Sequence, residues 1–488
     1  MLERLFKLKE NKTNVSTEII AGITTFFTMV YIVAVNPEML YKTGMDRSAV
    51  FVATVVASVV GTLVMALFAN VPYVQAPGMG MNAFFTFTVV FTLQFSWQQA
   101  LGLVFICGVF NILITMTSIR KALITAIPES LQKAIGGGIG LFIAYMGMKN
   151  AGFIQFTADP GTFTVFESGS AGLDGSIIPS LVDFTSTGAI LALIGLILTI
   201  VLMILNIKGA IFISIALTTI IGIPMGITLI PDTFISISEI GSISKTFGAV
   251  FSKEGLPSLF SNSSQLMTVI LTAFAFSLTD TFDTIGTFIG TGSASGLFSK
   301  KEMDEFATAK RFSTRLDKAL FSDSIATSIG AIFGTSNVTT YVESSAGISV
   351  GGRTGLTSLV VAILFLLCLP FANVFNMVPA QATAPALIIV GVLMMSSLIG
   401  IKWDDLEEAI PAFFAVVMMP FAYSITNGVA FGFIMYCLVK LVKTVGIKIG
   451  LINSDDGENP IKDIHPILAI STLLFIINFV VTALQNVM

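Results

Sequence analysis

Acidic side chains in apolar surroundings are the residues of this chain whose types and spacing could do chemistry. Asp280 and Asp283 occur three residues apart in an otherwise apolar run, so one helix face would present both. An ionised side chain at the bilayer centre costs about 2.5–3.5 kcal/mol even on the mildest scale. We therefore expect both carboxylates to face a cavity, where they could accept N–H donors or carry a proton. Alternatively, one of them lies near a helix end and is only solvated.

Two irregular segments carry the other candidate groups. Prolines and glycines crowd residues 71–82, whereas residues 334–347 are too polar for lipid and rich in threonine. Each segment is predicted to be a short extended stretch followed by a half-helix, which survives at membrane depth only inside protein or beside a cavity. Glu343 is expected to accept N–H donors of a ligand, unless it is a helix cap. Asn82, at the comparable position, either contacts the ligand or satisfies the broken backbone.

Side chains near Glu343 complete a predicted binding site. Tyr341 could lie against a planar ligand or pack against a helix, and Thr340 and Ser344 supply hydroxyls near Glu343. The predicted substrate-binding residues are Asp280, Glu343, Asn82, Tyr341, Thr340 and Ser344. The only histidine, His465, lies in a loop, so carboxylates would have to carry any proton. The candidates are Asp280, Asp283 and Glu343, and we expect no metal and no cofactor beyond the proton.

Composition identifies the kind of scaffold that must position these groups. Hydrophobic residues make up 54% of the 488 residues and charged residues 11%, with a mean hydropathy of +0.91. Soluble proteins average about 25% charged residues, so the sequence predicts an all-α polytopic membrane protein. The basic residues form no patch that could neutralise phosphates, which argues against a nucleic-acid partner. Residues 1–17 lack a signal-peptide pattern and are predicted to form a cytosolic interfacial segment.

About fourteen membrane segments are predicted from apolar runs. Their approximate ranges are 18–36, 50–69, 79–93, 99–117, 131–147, 184–205, 210–228, 266–290, 318–333, 343–350, 355–372, 380–398, 408–424 and 427–443. A further apolar run, 466–485, follows a polar loop. Connections 148–183 and 229–263 are predicted to be exposed loops on the outer side of the membrane.

The distribution of basic residues supports this map. With a cytosolic N-terminus, all but five of the 25 lysines and arginines fall in inside segments. The five outside are Lys42, Arg47, Lys149, Lys245 and Lys253. The positive-inside rule requires such a bias, and an error in the number of spans before residue 300 would place a basic cluster outside.

Weak internal similarity indicates an inverted repeat. Ile127-Pro128 opens a predicted span, as Val378-Pro379 does seven spans later. Because seven is odd, the second copy would be inverted across the membrane, and paired interrupted segments in two such halves point to a transporter binding site. The alternative is chance similarity between apolar segments.

Longer motifs at these segments resemble the nucleobase–ascorbate transporter superfamily, specifically its AzgA-like adenine/guanine/hypoxanthine permease branch. They are Gln75-Ala-Pro-Gly-Met-Gly-Met-Asn82, Leu278-Thr-Asp280-Thr-Phe-Asp283 and Thr339-Thr-Tyr-Val-Glu343-Ser-Ser-Ala-Gly. The opening Thr17-Glu-Ile-Ile-Ala-Gly-Ile-Thr-Thr-Phe-Phe-Thr-Met-Val-Tyr-Ile is similar as well. The resemblance covers nearly the whole chain.

The resemblance implies a seven-plus-seven inverted repeat that divides into a core and a gate. After the segment 1–17, the core would comprise residues 18–117 (spans 1–4) and 263–375 (spans 8–11). The gate would comprise 118–262 (spans 5–7) and 376–445 (spans 12–14), and 446–488 would add a loop and the extra apolar run.

The resemblance also implies proton-coupled purine uptake by a homodimer in the cell membrane. By the same resemblance, Asp280 and Glu343 would bind the purine, Asn82 would shape the site and Asp283 would be needed for transport. The uracil branch carries a histidine near its eighth-span carboxylate, which this chain lacks, so pyrimidines are disfavoured.

Guanine and hypoxanthine carry a ring N–H at position 1 that a carboxylate can accept, and adenine lacks it, which favours the two oxopurines. The sequence disfavours three other classes of protein. A carrier of inorganic anions with the same fold is disfavoured, because the carboxylates would repel its substrate. An intramembrane aspartyl protease would need facing aspartates that this chain lacks, and a channel would need a pore ring.

Overall fold

The structure is a computed structural model, and its description covers residues 2–117, 126–158, 163–165, 171–173, 177–261, 265–294, 297–298, 302, 314–451 and 460–487. Several basic residues used in the topology prediction lie outside these ranges. They are Arg120, Lys121, Lys300, Lys301, Lys310 and Arg311.

Helices dominate the described chain. The first ten are α1 Leu2–Phe6, α2 Val15–Met29, α3 Ile32–Tyr41, α4 Arg47–Val64, α5 Met79–Ala83, α6 Trp97–Met116, α7 Glu129–Asn150, α8 Thr187–Ile204, α9 Ala210–Gly222 and α10 Leu256–Leu259. The remaining nine are α11 Leu266–Ala294, α12 Arg315–Phe333, α13 Ser344–Ser349, α14 Gly355–Leu366, α15 Ala372–Asn376, α16 Ala380–Met394, α17 Leu406–Phe421, α18 Ile425–Lys448 and α19 Pro466–Val487. Wider π-helical turns extend α4 over Met65–Ala69 and α5 over Phe84–Thr92.

Six short strands form three antiparallel pairs in the described residues. They are β1 Gln75–Pro77, β2 Ile154–Ala158, β3 Phe163–Val165, β4 Ala171–Leu173, β5 Ile177–Leu181 and β6 Val338–Thr340. The pairs are β1 with β6, β2 with β5 and β3 with β4. Strands β1 and β6 are the extended stretches predicted for the third and tenth segments.

Eight helical stretches in the described chain are long and apolar enough to cross a membrane. They are Val15–Tyr41, Arg47–Ala69, Trp97–Met116, Thr187–Ile204, Leu266–Ile285, Gly355–Asn376, Ala380–Gly400 and Ile425–Lys448. Shorter apolar helices cover Met79–Thr92, Ala210–Gly222 and Pro466–Val480. The prediction of a polytopic helical membrane protein is therefore confirmed.

Polar side chains fix where the long helices begin. Ser96 and Thr314 form reciprocal capping boxes with Gln99 and Asp317, so the first turns of α6 and α12 have their N–H groups satisfied. At the other end of α12, Gly334 adopts a left-handed conformation with φ 95°, which ends the helix just before β6. Capping thus places the irregular tenth segment immediately after a long, buried helix.

The long helices pack in two sets. In the site bundle, α4 and α6 pack on α12, α2 and α4 pack on α14, and α6 packs on α11. In the flanking bundle, α7 packs on α16 and α17, α8 packs on α9 and α16, and α17 packs on α18. Both short strands β1 and β6 contact helices of the site bundle.

Two regions differ from the sequence expectation. Residues 148–183 were expected to be an exposed loop, but the described part holds the pairs β2–β5 and β3–β4. Branched and aromatic residues in Ile154–Ala158 and Ile177–Leu181 favour such pairing, and that local propensity was overlooked. The first span, expected as one helix over 18–36, is two helices that meet at Val30 and Tyr31.

The additional apolar run forms helix α19. It packs on α18 of the flanking bundle and also contacts α11 of the site bundle. The ring of Phe475 lies 6.1 Å from that of Phe433 in an edge-on contact. Near its start, His465 Nδ1 accepts a hydrogen bond from the backbone N–H of Ile467, so the histidine caps this helix.

Candidate functional site

The two irregular segments meet at the centre of the site bundle. In the β1–β6 pair, Gln75 lies opposite Thr340. Just beyond the strands, the Gly78 N–H donates to the Asn337 carbonyl at 2.9 Å. The extended backbone is therefore hydrogen-bonded, which a non-helical stretch at membrane depth requires. The short helices α5 and α13 then start at opposite ends of this two-stranded ribbon.

Helix α11 brings Asp280 to this junction. The carboxylate is fully buried, and its Oδ2 accepts from Asn111 Nδ2 at 2.9 Å and from the Thr327 hydroxyl at 3.4 Å. Asn111 is itself oriented by the Ser277 hydroxyl, which donates to its Oδ1. The second oxygen of Asp280 has no hydrogen-bond partner within the described residues. Asp280 is thus held in place through Oδ2, while Oδ1 could still accept a hydrogen bond.

Asp323, on helix α12, is a second fully enclosed carboxylate, and sequence reasoning missed it. Its Oδ1 accepts from the Thr340 hydroxyl at 2.7 Å and from Gln75 Nε2 at 3.3 Å. Its Oδ2 accepts from the Thr284 hydroxyl at 3.0 Å. Asp323 therefore ties both strands of the ribbon to helix α11. An ionisable residue within a predicted span was itself a sufficient signal to single it out.

Asp283 and Glu343 are only half-buried, unlike Asp280 and Asp323. The two lie close enough for their charges to repel when both are ionised. Glu343 Oε1 accepts from the Tyr31 hydroxyl at 2.7 Å, where Tyr31 marks the break between α2 and α3. Glu343 directly precedes α13, but its side chain does not cap that helix. The cap interpretation of Glu343 is thus unsupported, and the residue as a whole remains partly exposed.

Asn82 is placed away from solvent, with no exposed surface. Its Oδ1 accepts from the Ser336 hydroxyl, just before β6, and its Nδ2 lies 4.0 Å from Met79 Sδ. In this arrangement the amide joins the third segment to the approach of the tenth. These contacts correspond to the structural alternative for Asn82 rather than to a ligand-facing amide.

The remaining predicted site residues hold the ribbon together. The Tyr341 hydroxyl donates to the Pro77 carbonyl at 2.6 Å, and the Ser344 Oγ accepts from the Val74 N–H at 3.1 Å. Thr340 is buried and uses its hydroxyl on Asp323. All three therefore lie at the predicted site, with their polar atoms committed to protein partners.

No cation neutralises this cluster within the described residues. The ion pairs found there involve none of Asp280, Asp283, Asp323 and Glu343. Four carboxylates at membrane depth without a cation are compatible with bound protons or with ligands that donate hydrogen bonds. Such a site is poorly suited to an anion.

The family follows from a direct comparison of sequences. The sequence model of the permease family (Xan_ur_permease) matches residues 16–431, which include every residue of the site described above. The chain belongs to this family. As a member of the nucleobase–ascorbate transporter family it is a permease, which confirms the expectation of a transporter rather than an enzyme.

Curated relatives of this permease align over almost their full length. The chain is 42% identical to the adenine permease AdeP of Escherichia coli, covering 98% of the chain and 96% of the relative. It is 39% identical to the guanine/hypoxanthine permease PbuO of Bacillus subtilis, covering 97% and 99%. A second Bacillus subtilis relative, the guanine/hypoxanthine permease PbuG, is 37% identical over 98% of the chain.

Solved structures share the fold of this permease at low sequence identity. The transmembrane domain of the cyanobacterial bicarbonate transporter BicA superposes with a TM-score of 0.58 at 17% identity, covering 85% of the chain and 97% of that domain. SLC26A9 superposes with the same TM-score at 12% identity. These likenesses establish the transporter fold and leave the substrate to be inferred from the site.

Proposed function

We propose that this permease imports purine bases together with protons. The observation that carries the proposal is the half-buried Glu343, whose carboxylate forms no ion pair within the described residues and has Asp283 nearby. A purine is flat and neutral, and its ring N–H groups are donors that an ionised carboxylate accepts strongly. The adenine and guanine/hypoxanthine permeases at 37–42% identity support the same substrate class.

Within the purines, we propose guanine and hypoxanthine as the preferred substrates. Both carry a ring N–H at position 1, which a carboxylate acceptor can bind, whereas adenine has an unprotonated nitrogen there. The second candidate is adenine, and the 42% identity to an adenine permease favours it. An anion carrier of the same fold is disfavoured because carboxylates line the site.

Proton coupling is proposed to use the carboxylates, since the sequence has one histidine and it caps α19. Asp280 is the leading carrier because it is fully buried and its Oδ1, which a proton could occupy, has no hydrogen-bond partner in the part of the chain that the structure describes. Asp283 and Glu343 are the alternatives. One proton moving through 100 mV releases about 2.3 kcal/mol, enough for roughly fiftyfold accumulation of a neutral base.

The proposed architecture is a seven-plus-seven inverted repeat with a core and a gate. The site bundle would be the core and the flanking bundle the gate, with the N-terminus in the cytosol and the protein in the cell (inner) membrane. The antiparallel β1–β6 pair supports this arrangement, because related segments of two inverted halves would meet in that way. A homodimer is proposed from the family resemblance.

The test is uptake of radiolabelled hypoxanthine into liposomes containing the purified protein, with and without an inward proton gradient. We expect the proton gradient to drive hypoxanthine uptake. Unlabelled guanine should inhibit this uptake by competition, and uracil should not. Glu343→Gln serves as the matched variant, since it keeps the side-chain shape and removes the charge. Uptake of adenine alone would select the second candidate, and a folded wild type that transports no purine would refute the proposal.

A further inference from the structure

Tyr31 donates a side-chain hydrogen bond to the Glu343 carboxylate over a distance of 2.7 Å. It is 1% exposed and lies where the first span breaks between α2 and α3. Tyr31 lies near the end of the opening motif, but that motif assigned it no role, because the hydroxyl becomes informative only through its partner 312 residues away. A buried tyrosine normally finds a hydrogen-bond partner, but here the partner is the carboxylate of the partly exposed Glu343.

Packing holds Tyr31 against the tenth segment. Helix α2 contacts α13, and Gly347 of α13 approaches so closely that an added Cβ would lie 2.1 Å from the Thr25 hydroxyl and 2.7 Å from the Ala21 carbonyl. The Thr28 hydroxyl also reaches the backbone carbonyl of Glu343 at 3.5 Å. The first span and the half-helix therefore form one unit, which presents the tyrosine to the carboxylate.

Two other hydroxyls close to Glu343 in the sequence, those of Tyr341 and Ser344, are used for assembly of the ribbon. Tyr341 donates to the backbone of β1, and Ser344 accepts from the backbone of Val74. Tyr31 differs from both because it is bonded to a carboxylate rather than to backbone. Its hydrogen bond can be exchanged for one from a ligand without loosening the strands.

An empty carrier must move its site back across the membrane without a substrate. A carboxylate without a donor at membrane depth is unfavourable, whereas a purine N–H supplies the donor in the loaded carrier. We propose that Tyr31 takes the purine's place on Glu343 whenever the carrier is empty, and so sets the rate at which the empty site returns. The inference rests on the proposed function, because it requires that Glu343 bind the purine.

Two transport modes separate this role from a structural one. Net uptake into empty liposomes requires return of the empty carrier, whereas exchange into liposomes preloaded with unlabelled hypoxanthine does not. Tyr31→Phe should lower net uptake about tenfold, the scale of one hydrogen bond to a charged group, and leave exchange within about threefold of wild type. Its half-saturating hypoxanthine concentration should not rise.

Tyr341→Phe is the matched control, since it removes a hydroxyl that serves the backbone of the same site. It should slow net uptake and exchange in parallel.

Retained exchange shows that Tyr31→Phe is folded. A parallel loss in Tyr31→Phe, or no loss, overturns the inference, while a wild type that exchanges no purine refutes the proposed function instead. If Tyr31→Phe does not fold, Tyr31→His takes its place, because histidine keeps a ring N–H donor. The histidine variant is expected to retain net uptake. A folded histidine variant that supports exchange but not net uptake overturns the inference.

Discussion

The third and tenth segments have the same backbone arrangement, but their polar side chains make different kinds of hydrogen bond. Each has a three-residue strand followed directly, or after a short turn, by a short helix, and the strands pair with each other. In the third segment, Asn82 is fully buried and bonded to Ser336. In the tenth, Glu343 is half-buried and bonded to a tyrosine of another span.

The difference teaches that a broken helix at membrane depth is not in itself a binding site. The strand pairing satisfies the backbone of both segments equally, so it cannot decide which one binds a ligand. We expect the ligand-binding segment to be the one whose polar side chain has a hydrogen-bond partner that a ligand can replace. By that criterion we propose that the tenth segment recognises the ligand and that the third supports the site.

The largest effect is expected from Glu343→Gln. The substitution removes the charge from the accessible acceptor, so hypoxanthine affinity should fall about 10- to 100-fold, the scale of a hydrogen bond to a charged group. Because the side chain does not cap α13, the melting temperature should be nearly unchanged. Equilibrium binding and thermal unfolding in detergent measure the two quantities. Unchanged affinity would remove the distinction between the segments.

Asn82→Ala should show the opposite pattern. It leaves the Ser336 hydroxyl buried without its acceptor, at a cost of about 1–3 kcal/mol in stability. The melting temperature should therefore fall, and hypoxanthine affinity should change less than in Glu343→Gln. The same two measurements apply. A loss of affinity at constant melting temperature would place Asn82 in the recognition group.

Gly78→Ala tests the close approach of the two strands. A Cβ at Gly78 would lie 2.5 Å from the Thr339 methyl group, and its other neighbours are 3.7 Å away. Overpacking of this kind costs about 1–3 kcal/mol. Thr339→Ser removes that methyl group and keeps the hydroxyl that bonds Thr284, so the double variant should regain most of the lost melting temperature. Failure to recover would show that the strain lies in the backbone.

The smallest effect concerns a carboxylate that does cap a helix. Asp46 accepts from the Ala49 N–H at the start of α4 and from Lys245. Partial burial opposes ionisation, but the hydrogen bonds from Lys245 and from the backbone prevail and lower the pKa of Asp46. Because the folded pKa is lowered, its stabilisation is present at neutral pH and is lost as pH falls through the folded value.

Asp46→Asn should therefore flatten the acid side of the stability profile while hypoxanthine affinity at neutral pH stays constant. Capping residues contribute about 0.5–2 kcal/mol, so the shift should be modest. Melting temperatures of the variant and wild type between neutral and acidic pH measure it. An affinity change comparable to that of Glu343→Gln would mean that capping and recognition are not separable by this criterion.

The sequence alone was sufficient for most of the helices and for the irregular segments. Apolar runs, caps and crowded prolines are local signals, and the strands Gln75–Pro77 and Val338–Thr340 fall where they were expected. The carboxylates Asp280, Asp283 and Glu343 were recognisable because lipid excludes charge. Asp323 carried the same signal and was overlooked.

Hydrogen-bond partners that are distant in the sequence could not be predicted from local sequence patterns. Tyr31 reads as an ordinary aromatic residue of a membrane span until its contact with Glu343 is known. Asn82 and Tyr341 looked equally suited to a ligand, yet their hydrogen bonds go to Ser336 and to the backbone of β1. Which polar atoms remain available depends on tertiary packing, and no local pattern records it.

The pairing of β1 with β6 also constrains how the protein is made. Gln75 and Thr340 are 265 residues apart, so at 5–20 residues per second the ribosome delivers the second strand roughly 10–50 s after the first. Unpaired backbone groups in hydrocarbon cost several kcal/mol each. During that interval the third segment must stay in water or against the insertion machinery. Final insertion of this segment therefore waits for the second half of the chain, and the site is completed late in biogenesis.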